Sequence, residues 1–331
     1  MLASPNTVQA ATEPNNGLRD GLADPIKVFP IVWYDGRIVQ ADDVDIHVMT
    51  HALHLGTSVF DGIRGYRVGG ELRIFRLRDH LHRFRASAEV YGMKLPLDPD
   101  EMAAEVMDLC RRIGPPDCYI RPIAWYGYGP LGLVPWTSAP IHLMVLVMPL
   151  ADFFGREALG EQSGLRLTVS PWRKTPSRSL PSWVKCGGHY TNSVLASSQA
   201  CREGFDEALM LNDRGDVAEA SCENLFLVKD GRLITNDRDA DILPGITRNT
   251  VLEIAEEIGI PTLIRSISLN DVRAADEVFL TGTAAEVAPV DSVDEMVFAS
   301  SRAGSVTRSL ADAYSSVVRG IHLKAHWSEA C

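Results

Sequence analysis

The chain has 331 residues, 46% hydrophobic and 23% charged, a composition that predicts a water-soluble globular enzyme with room for about two domains. Its 32 basic residues against 43 acidic ones leave a formal net charge of −11, which argues against nucleic acid or an anionic membrane surface as the main partner. No apolar run reaches the ~20 residues that span a bilayer, and the six cysteines (Cys110, Cys118, Cys186, Cys201, Cys222, Cys331) include no Cys-x-x-Cys pair, so reduced thiols, a cytoplasmic location and no metal site are expected.

Residues 1–25 are polar, rich in Pro and Asn, lack the basic segment and apolar core of a signal peptide, and are expected to form a mobile tail. A small N-terminal α/β domain is expected over residues 26–148. It opens with "KVFPIVWYDGRIVQ", a hairpin turning at Asp35 and Gly36, and continues with "IRGYRVGGELRIF", a second hairpin with Gly69 and Gly70 at its tip. Leu81, Phe84, Ala88 and Tyr91 follow at helical spacing, with Gly92 as a stop, and "DPDEMAAEVMDLCRRIG" is a further helix opening on acidic residues. The apolar stretches "CYIRPIAWYGYG" and "IHLMVLVMPL" predict interior strands.

Regular patterning is lost over 149–161, which is taken as an interdomain loop, and residues 162–331 form a larger C-terminal domain. Its expected elements are the strand "LRLTVSPW", the basic loop "RKTPSRSLPSW", and a helix from Tyr190 to Gly204. Hairpins then turn at "NDRG" and at Asp230-Gly231. A helix follows "LPGITR", with Val251, Ile254, Ala255 and Ile258 on one face, and the strand "DEVFLTG" runs into "TAAEVAPV". A helix, "SVTRSLADAYSSVV", and a short polar tail close the chain.

Residues 127–132, "GYGPLG", match Gly-x-Gly-x-x-Gly after a strand. A dinucleotide site also needs a helix at the third glycine, and Pro130 with "LVPWTSAP" forbids it. A nucleotide-dependent oxidoreductase is therefore disfavoured, and a shaped loop is expected. Three other features carry more. Lys185 lies in "WVKCGGHYTNS", between apolar neighbours and two glycines, where a lysine can be dried and approached closely. In "LPGITR", Gly245 permits a tight turn, Thr247 is placed to cap the next helix, and the amides of Ile246 and Thr247 face outward as an anion site. In "LTGTAAE", Gly282 and Thr283 add amides and a hydroxyl. A guarded lysine with two anion-binding turns suggests a phosphorylated cofactor bearing a carbonyl, and pyridoxal 5′-phosphate fits. That cofactor needs a lysine of lowered pKa and an acid at its pyridine nitrogen. "VAEASCENLF" offers Glu219 and Glu223, although an acid in such surroundings is more often solvated.

"KCGGHY", "EASCENLF", "LPGITR" and "TGTAAE", in this order, resemble the fold-type IV pyridoxal-phosphate enzymes and, within them, the branched-chain amino-acid aminotransferases. "HVMTHALHLGTSVFDGIRGY", "RLRDHLHRF" and "CYIRP" extend the resemblance over roughly residues 30–310. It implies a two-domain α/β fold of α+β character with the cofactor at the domain interface. It further implies that Lys185 is the Schiff-base lysine that shuttles the α-proton, Tyr190 bonds the ring phenolate oxygen, Glu219 faces the pyridine nitrogen and Glu223 stands behind it. Arg83, Ile246, Thr247 and Thr283 would hold the phosphate, beside Gly245, and Leu243 would pack on the ring. His80 and His82 diverge on their helix.

For substrate the resemblance nominates Phe60, Tyr119, Arg121, Leu131 and Leu133, with amides of Thr283 and Ala284. Leu131 and Leu133 would come from a partner subunit, implying at least a homodimer. Leu55 stands where a tyrosine is usual and Leu150 where a tryptophan is usual. The implied reaction moves an amino group between leucine, isoleucine or valine and 2-oxoglutarate, so the partners are small amino acids and 2-oxo acids. A D-amino-acid or (R)-amine transaminase, or an aminodeoxychorismate lyase, of the same fold remains the alternative.

Overall fold

Hairpins organise both halves of the chain. The computed structural model describes residues 27–150, 164–300, 304–321 and 327–331, so the expected tail over 1–25 and most of the expected interdomain loop lie outside the described residues. Strands β1 (Ile31–Tyr34) and β2 (Arg37–Gln40) reverse at Asp35 and Gly36, whose φ values of 46° and 89° are the left-handed geometry a two-residue hairpin requires. The short helix α1 (His51–Leu55) leads into β3 (Ser58–Phe60). Strands β4 (Ile63–Val68) and β5 (Glu71–Phe75) turn at Gly69 and Gly70 as expected.

Helices α2 (Leu77–Val90) and α3 (Pro99–Ile113) then bury Leu77, Leu81, Phe84 and Ala88 with Met102, Val106 and Leu109 in one core. Asp98 caps α3 by accepting from the amides of Asp100 and Glu101, while Glu101 accepts from the Asp98 amide. The long strands β6 (Cys118–Tyr126) and β7 (Ile141–Pro149) complete the run β5-β4-β6-β7-β1-β2, with β3 also on β6 and every pairing antiparallel. "GYGPLG" between them is a loop bridged to Thr50 through Tyr128, and only a short 3-10 turn at Pro135–Thr137 follows.

The second half builds a mixed sheet. Its elements are β8 (Leu165–Val169), α4 (Gly187–Arg202), β9 (Glu207–Leu211), β10 (Val217–Ala220), β11 (Asn224–Lys229) and β12 (Arg232–Thr235). They continue with α5 (Ile246–Glu257), β13 (Thr262–Ile264), α6 (Leu269–Ala274), β14 (Glu277–Gly282), β15 (Glu286–Val293), β16 (Met296–Val297) and α7 (Val306–Val318). The order is β10-β9-β8-β15-β14-β11-β12-β13, with β16 on β15. β8 pairs parallel with β9 and β15, so the sheet is not a simple meander. The last strand, β17 (Ser328–Ala330), crosses back and pairs antiparallel with β5. Among the described residues no helix is long and apolar enough to cross a membrane.

Four expectations need correction. Helix α4 starts at Gly187 rather than Tyr190, so the two glycines form its first turn. Gly245, not Thr247, occupies the N-cap of α5, and no side chain caps it. Ile258 lies past the end of α5 at 44% exposure, while Val251, Ile254 and Ala255 are buried. The polar tail ends as a strand of the first sheet, because β5 presents an open edge there, so 162–331 does not close on itself. Val184 and Cys186 likewise pack into the first core, and Tyr66 and Phe75 into a core with α5 and α7, so the two halves interlock.

Candidate active site

Lys185 is held by its backbone and released only at its tip. Its flanking residues Val184 and Cys186 are 2% and 1% exposed. Its amide donates to Ser87 Oγ (3.1 Å), and its carbonyl accepts from the Phe60 amide (3.1 Å). The glycines behind it are required by close approach: a Cβ at Gly187 would collide with Ser58 Oγ, and Gly188 N donates to Gly56 O. Lys185 Nζ donates to Tyr190 Oη at 2.6 Å and lies 5.3 Å from the Phe60 ring centre. Burial, reinforced by the nearby Arg83 guanidinium, lowers the lysine pKa, the direction a nucleophilic amine needs. Burial also pushes the Tyr190 hydroxyl up.

Both candidate acids are buried rather than solvated, Glu219 at 4% exposure and Glu223 at 8%. Glu219, on β10, meets Lys174 Nζ at 2.6 Å through Oε1 and accepts from Asn224 Nδ2 (2.8 Å) through Oε2. The Leu243 amide points at the same carboxylate from 3.2–3.3 Å. Asn224 also donates to Leu243 O (2.8 Å), and a Cβ at Gly245 would strike Asn224 Oδ1. One asparagine therefore ties the acid to the turn before α5. Glu223 accepts from the Cys222 amide (3.3 Å) and, with Glu207, brings carboxylate oxygens within 4.8 Å of the Cys222 sulfur. Desolvation by the surrounding protein and these two acids push the Cys222 thiol well above its usual range, although the residue itself is exposed at the cavity.

Arg83 comes from α2 already engaged. Its Nε and Nη2 fork onto Asp61 at 2.8 and 2.7 Å, and His80 Nδ1 and the Gly62 amide reach the same carboxylate at 2.8 and 2.7 Å. Burial alone would raise the Asp61 pKa, but Arg83 and His80 outweigh it and hold the carboxyl well below the usual range. His82 is exposed and apart from this group.

A cavity with about 410 Å³ of atom-free space is lined by Arg83, Lys185, Tyr190, Glu219, Cys222, Asn224, Leu243, Gly245, Ile246, Thr247, Thr281, Gly282 and Thr283. The cofactor-binding residues expected from sequence thus share one cavity, and Asn224, Cys222 and Thr281 join them. The donor set fits a phosphorylated pyridine aldehyde: an amine of lowered pKa, a buried carboxylate, a guanidinium, and the N-terminus of α5, whose first amides have no partner within the helix. Among the described residues the buried Thr281 Oγ1 has no hydrogen-bond partner, as expected of a hydroxyl awaiting a ligand.

The expected substrate residues divide. Tyr119 and Arg121 are two apart on β6 and share a face. Arg121 Nη2 donates to Tyr119 Oη (3.2 Å), and its guanidinium carbon lies 4.9 Å from the Phe60 ring centre. Phe60 packs edge-on against Tyr190 at 4.9 Å, which joins this group to Lys185. Leu131 and Leu133 are 39% and 83% exposed and do not line the cavity of their own chain. Their loop is held by His51, whose Nε2 lies 2.9 Å from Gly132 O. Ala284 stands beyond Thr283, its carbonyl accepting from Arg64 Nη1 (3.3 Å), and Leu55 and Leu150 do not line the cavity. Asp61, Lys174 and Asn224 escaped sequence reasoning. The first and last sit inside quoted motifs, and Lys174 lies in the basic loop, where no local pattern tells which acid it meets.

A family model described as amino-transferase class IV matches residues 58–293. The branched-chain-amino-acid aminotransferase of Salmonella typhimurium is 37% identical over 289 residues, covering 87% of this chain and 93% of that protein. That of Pseudomonas aeruginosa is 38% identical over 290 residues, covering 88% and 93%. Among solved structures, a branched-chain amino acid aminotransferase from T.th. complexed with N-(5′-phosphopyridoxyl)-L-glutamate superposes with a TM-score of 0.86 at 38% identity, covering 92% of this chain and 99% of that one. The Escherichia coli branched-chain enzyme gives a TM-score of 0.86 at 36% identity, covering 90% and 98%.

Proposed function

Because the chain belongs to the class IV aminotransferases, we propose that it is a pyridoxal 5′-phosphate-dependent transaminase exchanging the amino group between branched-chain L-amino acids and 2-oxoglutarate. The observation that carries this reading is Lys185, its amine on Tyr190 in one cavity with the buried acid Glu219. When bound, the cofactor supplies the carbonyl that receives the amino group and a ring that draws electrons from the α-carbon. Lys185, with its lowered pKa, takes and returns the α-proton. Tyr190 steers the lysine amine, and Glu219 offers its carboxylate to the ring nitrogen. Arg83, the amides of Ile246 and Thr247, and Thr283 hold the phosphate, and Leu243 covers the ring.

On the substrate side, Tyr119 and the amides of Thr283 and Ala284 grip the α-carboxylate. Phe60 walls the pocket for a branched side chain, and Arg121 receives the second carboxylate of glutamate. Leu131 and Leu133 complete that wall from a second copy of the chain, so the working unit is at least a homodimer, placed in the cytoplasm. The test is a panel of amino donors given to the yellow purified protein, with each half-reaction followed by its visible absorbance. Leucine, isoleucine, valine and glutamate are expected to bleach the cofactor band. Response to D-alanine or an (R)-amine alone would overturn the substrate assignment in favour of the alternative.

A further inference from the structure

We propose that Lys174 is a positioning residue that fixes the charge and direction of Glu219 before any cofactor arrives; this rests on the reading of Glu219 given above. Lys174 lies at the start of the loop to Lys185, and its amide is anchored on Leu211 O (2.8 Å) of β9, the strand beside Glu219. Its ammonium is 2.6 Å from Glu219 Oε1, with the two side chains 17% and 5% exposed. The other donors on Glu219, Asn224 Nδ2 and the Leu243 amide, are neutral and bond a carboxyl oxygen whether or not it is ionised. All three donors set direction, and the ammonium alone also favours the charged form, because a buried carboxylate without a cationic neighbour is costly.

The remaining charged or titratable groups facing Glu219 do not take over this task. Tyr190 is pushed towards its neutral form, and Lys185 is engaged with Tyr190. Cys222 is held protonated. Arg248 is bonded to Asn236 O (2.6 Å) and to Asn249 Oδ1 (3.2 Å).

An acid already ionised has no proton to hand over, so the ring nitrogen must acquire its proton from solvent as the cofactor binds. Without Lys174 the acid loses its cationic neighbour, so less of the proton on the ring nitrogen has to come from solvent. Calorimetry of the cofactor-free protein with pyridoxal 5′-phosphate, above the pKa of the free ring nitrogen and in two buffers of different ionisation enthalpy, counts the protons taken up. Protons exchanged at Lys185 are common to all variants and cancel in the comparison. Lys174→Met should take up fewer protons than the parent chain, and Lys174→Arg should restore the uptake.

In a Glu219→Gln background Lys174→Met should change nothing. If Lys174→Met alone fails to fold, the double variant should fold, because no buried acid is then left without its partner. Equal uptake by the parent and a folded Lys174→Met, or failure of the double variant to fold, overturns the proposal. Absence of cofactor binding to the parent chain overturns the functional reading instead.

Discussion

Asp61 and Glu219 are both buried carboxylates, at 0% and 4% exposure, yet only Glu219 lines the cavity. Asp61 is saturated from its own half of the chain: Gly62, His80 and both prongs of Arg83 donate to it. Glu219 collects donors from three separate segments, at Lys174, Asn224 and Leu243, and keeps a face towards the pocket. Burial alone therefore does not mark a reacting acid. A carboxylate whose lone pairs are used up by the scaffold aims another residue, here Arg83, whereas one that retains an open side can meet a ligand.

Lys185, between the two acids, gives the largest expected effect. Lys185→Ala should remove the yellow colour and lower turnover by more than about 10⁴-fold, since proton transfer and cofactor attachment are lost together. Its thermal unfolding should stay close to the parent's, and full activity in this variant would remove the basis of the comparison.

Asp61→Asn tests the scaffold side. It breaks a buried, doubly hydrogen-bonded pair and should cost about 3–5 kcal/mol in a denaturant titration. The folded-state pKa of Asp61 is depressed, so its contribution is complete above the unfolded value of about 3.9 and is lost as the pH falls below it. The stability gap between parent and variant should accordingly be full at neutral pH and shrink in acid.

Glu219→Gln tests the reactive side. Its half-reaction rate should fall about 10²–10³-fold, with a smaller loss of stability than Asp61→Asn shows. Stopped-flow absorbance on both variants decides the matter: a crippling kinetic effect from Asp61→Asn at saturating cofactor, with a silent Glu219→Gln, would reverse the two assignments. The smallest effect belongs to Arg121. Arg121→Met should lower kcat/KM for glutamate about tenfold to a hundredfold, the worth of a charged hydrogen bond of about 1.5–3 kcal/mol, and change leucine much less. Equal losses for both donors would place Arg121 with Asp61 as scaffold.

Local rules carried the reading of the sequence wherever the determining residues are neighbours. Asp35-Gly36, Gly69-Gly70 and Asp230-Gly231 turn their hairpins through positive φ, and the spacing of Leu81, Phe84 and Ala88 puts them on the buried face of α2. The turn at Gly245 and the strand end at Thr283 were legible as backbone features for the same reason, and both line the cavity. Lys174 was not, because its meaning is an ion pair with a residue on another strand. Nor was β17: Ser328, Glu329 and Ala330 have no strand-forming pattern, and their shape comes from the free edge of β5. Leu131 and Leu133 named themselves only through resemblance, since nothing among the described residues explains two leucines left in water.

The return of β17 to β5 also sets a timetable. β5 is complete at Phe75, and the strand that covers its edge begins at Ser328, about 250 residues later. At a translation rate of about 5–20 residues per second, roughly 13–50 s separate the two. Once β6 and β7 are made, the nascent first sheet presents an unpaired strand for the rest of that interval to whatever lies beside the ribosome, including a neighbouring copy on the same message. Arg76, whose amide donates to Trp327 O and whose guanidinium lies 4.8 Å from the Trp327 ring, is the latch that ends the exposure.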